Sequence, residues 1–213
     1  MNATNSNARD LGAVILAAGR SERMGQPKLL LPWGDTSVLG HQILTWRQLG
    51  AGQIAVVCAA GDAAIRAELD RLSFPKTACI QNPAPERGMF SSIQCAAQWA
   101  GWRSDVARVA IVLGDQPHLR FGTLRALLEF SARHAAAVCQ PRTARRLCHP
   151  VILPKSVFVR LSVSSAMSLK EFLRAKLADA AACDLADPGL EFDLDTPADY
   201  ERACALCFPP TSD

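Results

Sequence analysis

Short apolar runs punctuate the first two thirds of the chain, at Gly12–Ala18, Gln53–Ala59, Thr77–Ile80, Val106–Leu113 and Ala135–Cys139. Each is bounded by Gly, Pro or polar residues, and most are rich in Val and Ile, as a strand buried on both faces would be. Between them, Ser37–Leu49, Asp62–Leu72, Ser91–Trp102 and Gly122–His134 space their apolar residues three and four apart, which predicts helices with one buried stripe. Strand alternating with helix predicts an α/β fold: a single doubly wound, mostly parallel sheet with helices on both faces. Beyond about residue 140 the rhythm changes to a strand at Cys148–Leu153, a helix at Lys170–Leu177, a short strand at Glu191–Leu194 and a closing helix at Ala198–Cys207. No linker interrupts this part. Residues 1–10 read as a flexible tail and 11–208 as one domain, in which about 141–208 covers and completes the site made by about 11–140. In such a sheet ligands bind beyond the carboxyl ends of the strands, so the residues just after each strand are where chemistry is sought.

With 213 residues, 49% of them hydrophobic and 20% charged, the chain can bury a large core, which excludes disordered, fibrous and small stapled classes. Its 23 basic against 20 acidic residues give a net charge of +3, which permits an anionic substrate but is not the concentrated basic stripe of a nucleic-acid binder. The polar opening lacks the apolar core of a secretory signal, and no apolar run approaches bilayer length; a cytoplasmic protein with no membrane partner is expected. The eight cysteines are scattered and read as free thiols. Cys204-x-x-Cys207 has no second pair and no suitably spaced histidines, so it reads as part of a helix rather than a zinc or redox site.

Candidate chemistry begins at the end of the first strand, where Gly19 to Lys28 combines two glycines, Gly19 and Gly25, with the cations Arg20, Arg23 and Lys28. Backbone N–H groups freed by tight turns, backed by cationic side chains, are the composition of a polyphosphate cradle; a solvated basic loop is the plain alternative. The loop is neither a Walker A sequence nor G-x-G-x-x-G. Across the sheet, the strand ending at Leu113 delivers Asp115, a hard oxygen ligand placed where Mg²⁺ can bridge protein and triphosphate. A turn or helix-capping role is its alternative. Asp193-x-Asp195 puts two further carboxylates on one face of a short extended segment, and Asp195 equally suits a cap for the helix beginning at Pro197.

The string Leu16-Ala17-Ala18-Gly19-x-Ser21-x-Arg23-Met24-Gly25-x-Pro27-Lys28 resembles the signature of the nucleotidyltransferase superfamily typified by molybdenum-cofactor guanylyl- and cytidylyltransferases and by sugar-nucleotide pyrophosphorylases. Gly88-Met89-Phe90-Ser91-Ser92, Leu113-Gly114-Asp115-Gln116-Pro117, His149-Pro150-Val151 and Asp193-Leu194-Asp195-Thr196-Pro197-Ala198-Asp199-Tyr200 follow in the family's order, so the resemblance spans roughly residues 12 to 205. It implies a Rossmann-like nucleotidyltransferase fold, a nucleotide half over about 11–140 and an acceptor side beyond it. The implied activity is Mg²⁺-dependent transfer of CMP from CTP to the phosphate of molybdopterin, with release of pyrophosphate.

On this resemblance, Lys28, Arg23 and Asp115 are the catalytic candidates. Mg²⁺ is assigned to Asp115 and Asp195, with Asp193 in reserve. Lys28 is expected to neutralise the α-phosphate while Arg20 and Arg23 hold the β- and γ-phosphates. Leu16, Ala17, Ala18 and Gly19 resemble the cytidylyl branch, whose Leu-Ala-Ala-Gly replaces the guanylyl branch's Leu-Ala-Gly-Gly; Ala18 would narrow the base pocket against a purine. Gly25 completes the phosphate loop, and Asn82, Gly88 and Ser92 are expected on the far side of the base, although Ser91 and Ser92 also suit helix N-caps. His149 is the acceptor-side candidate or a structural turn histidine, and Arg142, Arg145 and Arg146 suit an anionic acceptor or a solvated face. Here the chain departs from the family, with Cys148-His149-Pro150 for Gly-His-Pro and Val163-Ser164-Ser165-Ala166-Met167 where a Gly-Asp-x-Gly-Ala-Arg segment is usual. A molybdoenzyme or its maturation chaperone is the implied onward partner. The alternatives are another phosphorylated acceptor, GTP as donor, or a noncatalytic molybdopterin- or nucleotide-binding chaperone.

Overall fold

The computed structural model describes residues 10–174 and 180–209. In chain order its strands and helices are β1 (Leu11–Ala17), β2 (Pro32–Trp33), β3 (Thr36–Ser37), α1 (Val38–Gln48), β4 (Gln53–Ala59), α2 (Ala63–Arg71), β5 (Cys79–Asn82), α3 (Met89–Gln98), β6 (Arg108–Leu113), α4 (Phe121–Arg133), β7 (Val138–Arg142), β8 (Val151–Pro154), α5 (Lys155–Phe158), α6 (Leu169–Arg174), β9 (Ala180–Asp184) and α7 (Pro197–Cys207).

Seven strands form one sheet in the order β5-β4-β1-β6-β8-β7-β9. All neighbours are parallel except at β8, which runs against both β6 and β7. The sheet is thus the mostly parallel one that the alternation predicts. Its two-residue period divides the core. Ala13, Ile15, Val56, Cys58 and Ala110 face a layer closed by Val38, Leu39, Ile65, Leu69, Leu124 and Leu127 of α1, α2 and α4. Val14, Ala55, Val57, Val109 and Ile111 face the other layer, closed by Phe90, Ile93 and Ala96 of α3 and Phe158 of α5. No helix among the described residues is long and apolar enough to cross a membrane.

Several boundaries depart from the hydrophobic pattern. The third predicted helix stops at Gln98, because Trp102 folds back to donate its indole N–H to the Ala96 carbonyl at 2.8 Å and stacks edge-on with Trp99. The predicted strand Glu191–Leu194 is not formed. Asp187 instead accepts from Gly189 N–H and caps a 3₁₀ turn over Pro188–Glu191, after which the Leu194 N–H reaches the Asp115 carbonyl at 3.0 Å. The alanine-rich β9, paired in parallel with β7, carries none of the branched residues that mark the other strands. Of the helix expected at Lys170–Leu177, residues 169–174 are helical and 175–177 lie outside the described residues, as do residues 1–9 of the expected tail.

Candidate functional site

Register brings the site together. Leu16 of β1 pairs with Leu113 of β6, so the two central strands end flush and the loops that leave them emerge side by side. Gly114 permits this closeness, since a Cβ there would stand 2.6 Å from the Leu16 carbonyl oxygen. The loop after β1 holds its shape through left-handed turns at Ser21 (φ 53°) and Gly25 (φ 72°), through the Ser21 hydroxyl, which accepts from the Lys28 backbone N–H at 3.1 Å, and through buried Met24 and Leu29. These anchors leave Gly19, Arg20 and Arg23 exposed at the rim and direct the Lys28 side chain inward.

The Lys28 ammonium sits between two carboxylates, 2.5 Å from Asp115 Oδ2 and 3.1 Å from Asp195 Oδ1. Arg23 reaches the other oxygen of Asp195 at 2.8 Å. Burial alone would lower the Lys28 pKa; the charges and hydrogen bonds of Asp115 and Asp195 overcome it, and the net shift is upward. Asp193 is held differently. Its carboxylate accepts from the Gln116 side chain at 2.8 Å, and burial together with the neighbouring charges of Asp115 and Asp195 raises its pKa.

The capping alternatives resolve in the geometry. Helix α7 is capped by Thr196, whose hydroxyl and N–H form a reciprocal capping box with Asp199, which leaves the Asp195 carboxylate to the ion pairs. Arg120, not Asp115, stands at the N-cap of α4. Ser91 and Ser92 cap nothing at α3, where the N-cap is Gly88. Instead they accept the two hydrogen bonds of the Asn82 amide, at 2.8 and 2.9 Å, while the Asn82 carbonyl oxygen of the side chain accepts from Ala84 N–H at 2.9 Å.

These groups border one open cavity of ≈ 640 Å³, walled by Leu16, Ala18, Gly19, Arg20, Arg23 and Lys28 on one side and by Pro85, Glu86, Gly88, Met89 and Ser92 on the other, with Asp115 and Asp195 at its floor. Not every expected residue lines it. Asn82 is fully buried and supports the Ser92 wall from beneath, Ala17 faces the core, and Gly25 stands outside. His149 also lies apart from the cavity; its Nδ1 is enclosed without a hydrogen-bond partner, and burial depresses its pKa to about 4. Arg142 pairs with Asp184 and Arg145 with Glu191, so neither is turned toward the cavity floor. Gln116, which orients Asp193, carried no signal beyond its place beside Asp115. Pro85, Glu86 and Met89 enter the wall only because β5 turns sharply after Asn82.

Residues 13–181 match the model of the MobA-like NTP transferase domain family. Over 129 residues, 56% of this chain, the sequence is 35% identical to the bifunctional protein GlmU of Leifsonia xyli subsp. xyli, a match that covers 24% of that protein. The chain thus spans about a quarter of the length of the curated relatives it matches. Among solved structures, Rv0371c from Mycobacterium tuberculosis H37Rv superposes with a TM-score of 0.67 at 29% identity, covering 91% of this chain and 96% of that one. The complex of Rv0371c with manganese gives 0.65 at 27% identity, covering 91% and 97%.

Proposed function

The chain belongs to the MobA-like NTP transferase domain family, and from that premise we propose that it transfers CMP from CTP to the phosphate of molybdopterin and releases pyrophosphate. The observation that carries the nucleotidyl-transfer reading is the convergence of Lys28, Asp115 and Asp195 on the floor of a cavity rimmed by Arg20 and Arg23.

In this reaction a phosphate oxygen of the acceptor attacks the α-phosphorus, the bond to the bridging β-phosphate oxygen breaks, and pyrophosphate leaves. The nucleophile is already ionised near neutral pH, so the residues supply position and charge rather than a base. Arg20 and Arg23 hold the β- and γ-phosphates, and the Lys28 ammonium compensates charge that grows on the α-phosphate oxygens. The family's chemistry implies a divalent cation, and the residues fit one. Asp115 and Asp195 offer hard oxygens that already converge on a single cation, the Lys28 ammonium, at 2.5 and 3.1 Å. Asp193 is the weaker candidate, since Gln116 occupies its carboxylate. When bound, Mg²⁺ supplies Lewis-acid stabilisation of the transferring phosphoryl group.

Cytosine as the base is supported by Ala18, whose methyl lines the cavity where the guanylyl branch has glycine. The alternative is another phosphorylated acceptor, for which a sugar 1-phosphate serves as the probe; His149, the residue expected to contact molybdopterin, does not line the cavity. The test is pyrophosphate release from CTP, GTP, ATP and UTP, each with molybdopterin, with a sugar 1-phosphate or without acceptor. Release from CTP that requires molybdopterin supports the proposal, release that requires the sugar phosphate replaces the acceptor, and no release from any combination sinks nucleotidyl transfer.

A further inference from the structure

Away from this cavity, β4 and β5 bring two thiols face to face. Val56 of β4 is in register with Cys79 of β5, and Cys58 stands two residues on, so both sulfurs project to the same side of the sheet. Their Sγ atoms are 3.4 Å apart, and the Cys58 Sγ lies 3.7 Å from the Ile80 carbonyl oxygen. Cys58 is completely buried, whereas Cys79 is half-buried and opens on a second cavity of ≈ 460 Å³ between α2 and the edge of the sheet. Arg66 and Lys76 line that cavity beside Cys79, with Asp70 as the opposing charge; Lys76 is itself paired with Asp70 at 3.5 Å.

The two sulfurs are chemically unequal. The hydrogen bond between the two sulfurs and the positive field of Arg66 hold the Cys79 thiol below its ordinary pKa, against the opposing effects of burial and Asp70. Cys58 shifts the other way, raised first by the hydrogen bond with Cys79, then by burial and by the charges of Cys79 and Asp62. Thiolate character and access therefore fall on the same sulfur, Cys79, and its neighbour is a protonated thiol within reach.

We propose that Cys58 and Cys79 form a peroxide-reactive dithiol, in which the sulfur facing the cavity is oxidised first and the buried one closes a disulfide. The Cys79 thiolate attacks one oxygen of hydrogen peroxide, the O–O bond breaks, and the leaving hydroxide takes a proton to become water, leaving a sulfenic acid. Cys58 sulfur then attacks Cys79 sulfur, the S–O bond breaks, and the departing hydroxide takes the Cys58 proton as a second water. Two thiols have lost two electrons and peroxide has gained them. Closing the bond brings the sulfurs from 3.4 Å to about 2.05 Å; because Cys58 is in register with Gln81 and Cys79 with Val56, the pair is diagonal and closure also draws the β4 and β5 backbones together. Asn82, the support of the Ser91–Ser92 wall, lies three residues along the same strand.

Exposure alone would favour a different cysteine. Cys207 is the exposed one, yet partial burial of its sulfur, with Cys204 and Asp187 nearby, pushes its thiol up. The test treats the reduced full-length chain with limiting hydrogen peroxide, alkylates the remaining thiols and maps the peptides. The expected first product is the Cys58–Cys79 crosslink, formed roughly tenfold faster than any modification of Cys207. In Cys58→Ser, whose hydroxyl keeps a hydrogen-bonding group beside Cys79 but cannot resolve a sulfenic acid, dimedone should label Cys79 and no crosslink should form; circular dichroism checks that the variant is folded. If modification of Cys207 or a scatter of sites precedes the crosslink in the unaltered chain, the proposal is overturned whatever the variant does. A folded Cys58→Ser chain without a dimedone adduct at Cys79 overturns it too.

Discussion

Replacing Lys28 by Ala tests the ion-pair cluster before any substrate is involved. The ammonium is the shared partner of Asp115 and Asp195, and the three side chains keep 13, 19 and 29% of their exposure. Breaking a fully buried pair costs about 3–5 kcal/mol, and an exposed pair is worth about 0–1 kcal/mol. Partial exposure puts this cluster between those limits, at about 2 kcal/mol. For a chain of this size that corresponds to a fall in Tm of roughly 4–8 °C. The variant removes the ammonium between Asp115 and Asp195 and leaves Arg23 on the outer oxygen of Asp195, so Mg²⁺ should bind there with less competition. At a hundredfold excess over Kd it would return about 2.7 kcal/mol, restoring the variant while moving the unaltered protein much less. Differential scanning calorimetry with and without Mg²⁺ measures both effects. Turnover, measured as pyrophosphate release, should fall about a hundredfold or more, as for the loss of one donor to a charged transition state. A Lys28→Ala protein that melts like the parent and ignores Mg²⁺ would falsify the cluster's electrostatic role.

The paired carboxylates give a second prediction: Asp115→Asn and Asp195→Asn should each abolish most turnover, and the double variant should be little worse, because both act through one ion. Thr196→Ala is the control, costing about 1 kcal/mol of stability as a lost N-cap while sparing turnover; a normally active Asp195→Asn enzyme with unchanged Mg²⁺ dependence refutes the pair. A third concerns acid. Burial lowers the His149 pKa from 6.5 to about 4 in the folded state, so the unfolded chain takes up the proton first. Stability should be full above pH 6.5 and decline toward pH 4, by on the order of 3 kcal/mol. Urea unfolding across this range should show a flatter slope in His149→Gln; an identical slope refutes the assignment.

The elements legible in sequence are those with a strong period. β1, β4 and β6 announce themselves because both faces are buried, and α1, α2 and α4 because their apolar stripes meet one core layer. β9 escaped notice because alanine carries no strand signal, and Glu191–Leu194 misled because alternating polar and apolar residues also occur where a turn passes over the core. At the site, Lys28, Asp115 and Asp195 were legible as residue types after strands and turns. That the lysine would lie between the two aspartates was not, since the separations of 87 and 167 residues are set by the tertiary fold. Local spacing likewise could not reveal that Asn82 acts from beneath the wall, because it is fixed by hydrogen bonds to residues of the following helix.

The placement of β1 inside the sheet, between β4 and β6, has a consequence for how the chain is made. Leu11–Ala17 pairs on one side with β4 but on the other with β6, which begins only at Arg108. While the chain grows from its amino end, β1, β4 and β5 are available long before that second neighbour exists, and one edge of the most apolar strand stays bare. Such an edge is a template for pairing with other chains. Non-local parallel pairing also closes slowly. Fragments ending between β5 and β6 should therefore aggregate, and chains extended through Leu113 should lose that tendency as β6 covers the edge. The same pairing of β1 with a late-made neighbour that sets Lys28 against Asp115 in the finished protein makes its nascent form dependent on protection during synthesis.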